Sequence, residues 1–411
     1  MRIQPITCYR PTPEAVAAFA SPPYDVFDRA GAADYVRKHP RSFLAIDRPE
    51  TSFAPGQDMY APEVYQRAGS LIRERGLDGT LLKDQVPCLY LYRLEQGERR
   101  QVGVVCACSV AEYENGTIHR HEETRPEKTA DRTEHIRATG AQTGPVFLAY
   151  RDSMAIDVIV DAARMSEALY DFTDEQGVRQ TVWRIARSAA VEALAVAFST
   201  VPCAYIADGH HRASAAAAYC HERREGGGGG GEHAADSFLA VLFPASQLTV
   251  LPYNRLVHDS NGLAPEQLLA ALAQADFVVG EPQQTAVEPA ERRHFGLYAH
   301  GSWYPLRYVG EVPDVRQDPA AALDVALLQD RVLGPVLGID DPRTSDRISF
   351  VGGIEGGEGL KRRAGRHGIA FTLHPTSVEE IMTVSDAGLL MPPKSTWFEP
   401  KLRSGLFIRR V

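Results

Sequence analysis

The stretch Cys203–Tyr219, CAYIADGHHRASAAAAY, limits the fold more than any other part of the chain. A strand-like run ends in Asp208-Gly209 and passes with no linker into an alanine-rich segment. An Asp-Gly pair at such a junction forces a tight turn, and Gly209 is the residue able to take a left-handed backbone there. The segment after it reads as a helix reaching about Glu225. Ala213, Ala215, Ala216, Ala217 and Ala218 keep that helix slim, so it can pack closely behind the turn.

His210, His211 and Arg212 then fall at the helix N-terminus. The first amides of a helix lack intrahelical acceptors, and the helix dipole favours an anion at that end. Imidazoles donate hydrogen bonds to phosphate oxygens, and a guanidinium can donate two in parallel. The competing reading is a surface corner with Asp208 as a helix cap. Two adjacent histidines are poorly placed to share one metal ion, because neighbours at a helix start point in different directions.

Elsewhere the pattern alternates strands and helices. A helix-like run ends before Pro40, and another spans APEVYQRAGSLIRERGL, with Pro62 in its first turn and Gly76 as its C-cap. CLYLYRLEQGERRQVGVVCACSV reads as a hairpin around Gly97, and GPVFLAYRD as a short buried strand. IDVIVDAARMSEAL and RSAAVEALAVAF have helical spacing, with a hairpin turning at Glu175 to Gly177 between them. SFLAVLFP and ISFVGG read as strands, and HFGLYAHGSWYPLRYV as a hairpin. PEQLLAALAQA, ALDVALLQDRVLGPVLG and SVEEIMTVSDAG read as helices. The six glycines Gly226 to Gly231 lack the Gly-Lys-Ser/Thr of a Walker loop and read as a flexible loop.

Two further clusters could carry chemistry. His119, His121, Glu122, Glu123, Lys128, Asp131 and Arg132 form either a solvated charged loop or a base with phosphate-binding partners. Near the C-terminus, MPPKSTWFEPKLRSG offers Lys394, Ser395 and Thr396, followed by Lys401 and Arg403. That segment is either an anion-binding lid or a tail that docks Trp397 and Phe398.

Composition narrows the function classes. The net charge of −9 opposes general nucleic-acid binding. Six cysteines in 411 residues make no disulfide framework. Cys106 and Cys108 read as buried thiols sharing one strand face. No run approaches the ~18 apolar residues of a membrane helix, and MRIQPITCYRPTPEA lacks a signal-peptide pattern, so a cytoplasmic location is expected.

PPYDV, HEETRPEKTADR, YIADGHHRASAA, LPYNRLV and MPPKSTWFEPKLRSGL occur in the order seen in the DUF1015 family, which the whole chain resembles. Asp-Gly-His-His-Arg also resembles the phosphate-binding corner of the ParB/sulfiredoxin-like superfamily, which includes nucleotide-binding switches and free-serine kinases. The resemblance implies an α/β (α+β) fold with a ParB/sulfiredoxin-like mixed-sheet core. That core, with N-terminal and helical insertions, would span residues 1–245. An α/β region would span 246–411, its last ~25 residues able to return to the active site. Two departures stand out: Tyr253-Asn254-Arg255 replaces the family's frequent Thr-His-Arg, and Gln180 stands where the family has a histidine.

Carried over by motif, Gly209, His210, His211 and Arg212 would hold ATP or ADP, with Lys128, Arg132, Lys394, Ser395 and Thr396 as further binding residues. Asp208 would take Mg²⁺. Glu122 would act as base on the acceptor hydroxyl, with His121 and Asp208 beside it and Glu123 as the second choice. The expectation is therefore a phosphotransferase acting on a small hydroxylated metabolite, L-serine first. The alternative is a nucleotide-binding regulatory switch without metabolic turnover. A homodimer is a further possibility; neither nucleic acid nor membrane is expected as a partner.

Overall fold

The computed structural model describes residues 1–226, 233–365 and 368–411. The glycine tract beyond Gly226 lies outside them. The chain has the expected mixed α/β architecture and divides into two compact units. The first comprises Met1–Arg120, Thr124–Leu248 and Pro400–Val411; the second comprises His121–Glu123 and Thr249–Glu399.

The first unit is built on a nine-stranded mixed sheet. Along its main path the order is Ile118–His119, Ala204–Asp208, Val146–Tyr150, Ser237–Pro244, Arg99–Ser109, Leu89–Gln96, Arg179–Ile185 and Tyr170–Thr173, and Ile3–Gln4 adds to the Arg99 strand. Ala204–Asp208 runs antiparallel to Val146–Tyr150, which in turn runs parallel to Ser237–Pro244. Strand side chains alternate between faces. Val102, Val104, Cys106 and Cys108 accordingly enter one core with Ile156, Val160, Leu194 and Phe198 of helices Met154–Arg164 and Ser188–Ser199. Cys106 and Cys108 are buried free thiols whose Sγ atoms lie 3.8 Å apart, as their spacing implied.

A second, four-stranded sheet orders Leu81–Lys83, Cys8–Pro11, Ile408–Arg410 and Ala141–Gln142. The C-terminal segment thus supplies an inner strand of the first unit. It is fixed on the way by Arg403, whose side chain is 2% exposed against an equally buried Asp174, with Nε donating to Oδ2 at 2.9 Å. Arg403 also bonds Glu175, and its amide donates to the Tyr92 hydroxyl.

Two local expectations change. Gly76 lies inside helix Pro62–Leu77, which continues to an Asp78 cap; Gly79, at φ 79°, makes the left-handed turn. The helix expected at residues 322–338 is α-helical only over Asp324–Leu328 and widens to a π turn over Gln329–Leu333.

The second unit holds a six-stranded antiparallel sheet, ordered Phe277–Val279, Ser302–Tyr308, His294–Ala299, Ile369–Leu373, Tyr253–Val257 and Ile348–Gly352. Helix Gly356–Ala364 closes one face through Leu360, packed with Leu256, Trp303, Val351 and Ala370. Among the described residues no helix is long and apolar enough to cross a membrane.

The Arg403–Asp174 pair generates a stability prediction. Truncating one partner of a buried pair strands the other charge and costs about 3–5 kcal/mol. Arg403→Ala should lose that amount in urea unfolding. A change below ~1 kcal/mol, as for an exposed pair, would contradict the burial.

Candidate anion-binding site

Strand Ala204–Asp208 delivers the chain to Gly209, which stands at the N-cap of helix His210–Glu225 with φ 95°. Having no side chain, the cap residue offers no acceptor to the helix's first amides. The alanines divide their work by helical spacing. Ala213, Ala216, Ala217 and Cys220 face the sheet core, while Ala215 and Tyr219 pack with Ile136 of helix Pro126–Thr139.

That second helix occupies the segment read as a polar, charged stretch, and its polar side chains are turned inward. It runs parallel to the His210 helix. The amide of Arg125 donates to His211 Nε2 at 3.1 Å, Thr129 meets Ser214, Thr133 bonds the Ala215 carbonyl, and Arg137 bonds Glu222. The partners rise together in number, so the two N-termini lie at the same end. Helix Pro62–Leu77 follows the same direction, with Lys128 bonding Tyr60, Tyr65 bonding Asp131, and Gly69 against the Ala138 carbonyl. Three parallel helices therefore present their positive ends together.

Arg212 lies across this end. A Cβ on Gly209 would come within 3.0 Å of its guanidinium, and one on Gly144 within 3.5 Å of its Cδ. Its Nη1 donates to the Pro145 carbonyl, and its Nη2 lies 3.8 Å from Asp208 Oδ2. Its Nε is buried and meets no hydrogen-bond acceptor. Burial works against the charge of this guanidinium, but Asp208, Asp25, Tyr24 and Asp47 together raise its pKa. Lys401 Nζ donates to Asp208 Oδ2 at 3.1 Å.

Beside Arg212 is a narrow cavity of about 30 Å³. Its polar wall is Tyr24, Asp47, Arg132, His135, Thr143 and Gly144; its apolar wall includes Val146, Ala216 and Phe238. Arg132 is held by Asp131 at 3.0 Å, bonds the Asp47 carbonyl, and stacks on the Tyr24 ring at 4.2 Å. Thr143 donates to Asp47 Oδ1. Burial pushes the Tyr24 phenol up in spite of both arginines, so its hydroxyl stays protonated. Burial, and then Arg132, hold the His135 imidazole below its ordinary value, while its Nε2 lies 2.8 Å from the Ile46 carbonyl.

The structure thus brings Asp208, Gly209, His210, His211, Arg212, Lys128 and Arg132 together within the first unit. The other sequence candidates belong to the second. His121 is buried there, and its carbonyl accepts from the Met391 amide. Glu122 is half-buried, and Glu123 pairs with Arg343 at 2.7 Å. Lys394, at φ 55°, sits over the Tyr253 ring, followed by buried Ser395 and Thr396. Arg255 bonds the carbonyls of Lys394 and Pro393; burial without a carboxylate partner pulls its guanidinium down to about 10. Sequence reasoning missed Tyr24, Asp47, Gly144 and the Lys401–Asp208 pair. No local pattern marks them, because each is separated from the turn by a long stretch of chain.

The DUF1015 family model, described as a protein of unknown function, matches residues 3–326. The chain belongs to this family. No curated protein matches it. Among solved structures it is similar to C-terminally truncated SbnI from Staphylococcus aureus, at 12% identity and TM-score 0.38, covering 74% of this chain and 87% of that one. A conserved hypothetical protein from Pyrococcus furiosus gives 13% identity and TM-score 0.37, covering 75% and 95%. Free serine kinase in complex with AMP gives 12% identity and TM-score 0.36, covering 72% and 86%.

Two tests follow from the geometry. Gly209→Ala places a Cβ against Arg212 in a left-handed residue, a conformation costing roughly 1–2 kcal/mol. Thermal unfolding should register that loss, and an unchanged midpoint would argue against the turn. For His135 the folded pKa lies below the ordinary imidazole value of about 6.5, so the unfolded chain binds the proton more readily. Its contribution is intact above that value, and stability falls as pH drops from there toward the folded pKa. Proton NMR should show the His135 ring still neutral when exposed histidines have titrated.

Proposed function

We propose that this protein is a nucleotide-dependent phosphotransferase that phosphorylates the hydroxyl of a small metabolite, with free L-serine as the first candidate. One observation carries the reading: the N-termini of helices Pro126–Thr139 and His210–Glu225 lie side by side, with that of helix Pro62–Leu77 at the same end of the bundle, next to an arginine whose Nε is buried without an acceptor. Aligned dipoles side by side repel one another, and an anion at their shared positive end relieves that repulsion. A phosphate group matches the donors present: backbone amides, His210, His211 and Arg212, with Lys128 and Arg132 adding positive charge.

Phosphoryl transfer needs its developing charge neutralised and a base on the attacking hydroxyl. The hydroxyl proton passes to Glu122, the oxygen takes the terminal phosphoryl group, and the nucleotide leaves one phosphate shorter. Glu122 is preferred over Glu123 because His121-Glu122 stands where the family carries its His-Glu pair. Mg²⁺ is ordinarily held by one or two protein carboxylates together with phosphate oxygens and water, and it would supply further charge neutralisation. Asp208, a partly exposed carboxylate at the turn, fits that requirement as the protein ligand. The known complexes of free serine kinase with AMP and ADP agree in ligand class.

Phosphorus NMR of the protein with ATP or ADP, Mg²⁺ and L-serine or other hydroxylated metabolites tests the reading. A new phosphomonoester signal is expected. Nucleotide binding with no acceptor product would instead make the protein a regulatory switch, and no binding at millimolar nucleotide would end both ideas. Arg212→Ala should weaken nucleotide binding about tenfold or more, the loss of a charge-assisted contact. Glu122→Gln should bind nucleotide normally and turn nothing over; retained turnover would remove Glu122 as the base.

A further inference from the structure

Asp208 presents a difficulty for any anion that approaches the turn. Its carboxylate sits at the strand end, one residue before the helix N-cap, and would repel an incoming phosphate. Lys401 answers it, with Nζ 3.1 Å from Oδ2 and a side chain only 16% exposed. Arg212 stands 3.8 Å from the same oxygen.

Lys401 is not there by accident of a loose tail. The carbonyl of Pro400, the residue before it, accepts from Gln101 Nε2 at 3.2 Å. Two residues after it, Arg403 is locked into Asp174 and Glu175, and Ser404 exchanges backbone hydrogen bonds with Ser21. The chain is thus pinned on both sides of a lysine, and what projects between the pins is one ammonium group on Asp208. A flexible four-carbon stem lets that group move by a few ångströms while its backbone stays fixed.

We infer that Lys401 is a phosphate-binding residue of this site, held on Asp208 until ligand arrives and then transferred to the phosphate. It rests on the phosphate-site reading above and adds to it a residue from the far end of the chain. While the ligand is absent, Lys401 cancels the Asp208 charge and keeps the helix N-termini attractive to an anion. Once a phosphate is bound, the same ammonium meets an oxygen of higher charge, and Asp208 is released to a divalent cation. The handover requires no backbone movement, because only the lysine side chain turns.

The test uses pyrophosphate as probe in EDTA, with full-length protein and isothermal titration calorimetry. Lys401→Met should weaken pyrophosphate binding about tenfold, the scale of one lost charge-assisted contact. Lys401→Arg should bind close to wild type. Asp208→Asn, which frees the lysine and removes the repelling charge, should bind more tightly than wild type, and adding Lys401→Met to it should erase most of that gain. If folded Lys401→Met binds as tightly as wild type, the inference is overturned while the phosphate site stands. If wild type itself does not bind pyrophosphate, the site reading falls and the inference with it. Should Lys401→Met fail to fold, the Asp208→Asn measurement decides, and no tightening there overturns the handover.

Discussion

The parallel packing of helices Pro62–Leu77, Pro126–Thr139 and His210–Glu225 is the constraint on which the first unit turns. Such an alignment adds like ends to like ends, and it persists only where close side-chain contacts outweigh the repulsion. Here they do. Gly69 lets one helix approach the Ala138 carbonyl, and the alanine faces of the His210 helix let it fit between the sheet and the Pro126 helix. Buried hydrogen bonds from Tyr65 to Asp131 and from Thr133 to Ala215 then fix the register. The outcome is an end of the bundle where positive potential has been gathered at some cost.

The same packing explains why Arg212 is shaped by glycines. Gly209 approaches the guanidinium so closely that a side chain there would press on it, and Gly144 borders the same side chain at van der Waals distance. A site of this kind is specified by what is absent from the backbone as much as by the charged groups it presents. The polar wall of Tyr24, Arg132, Asp131 and Asp47 sits just behind, with Arg132 bonded to Asp131 and to the Asp47 carbonyl and lying over the Tyr24 ring. Removing Asp131 would take an acceptor from both Arg132 and Tyr65.

Local pattern made part of this legible in the sequence. The Asp208-Gly209 turn, the strand before it and the alanine helix after it follow from short-range rules, and so do the Gly97 hairpin and the paired buried thiols. The Pro126 helix was hidden because its inward residues, Asp131, Arg132, Thr133 and His135, are polar. A helix with a polar buried face carries no apolar stripe, so it reads as a charged loop. The Gly76 cap failed for a simpler reason: a helix tolerates one glycine near its end when Asp78 and Gly79 can close it instead.

What no local rule supplies is the partnership of residues far apart in the chain. Asp47 faces Thr143, Asp208 holds Lys401, and Asp174 holds Arg403, each pair formed only when the C-terminal strand or the Pro126 helix is in place. The C-terminal strap is the clearest case. Its strand Ile408–Arg410 lies between Cys8–Pro11 and Ala141–Gln142, so sheet formation itself delivers Lys401 to the turn. Completing the site is then coupled to completing the fold: the positive helix ends, the glycine-seated arginine and the lysine on Asp208 come together once the last strand has docked.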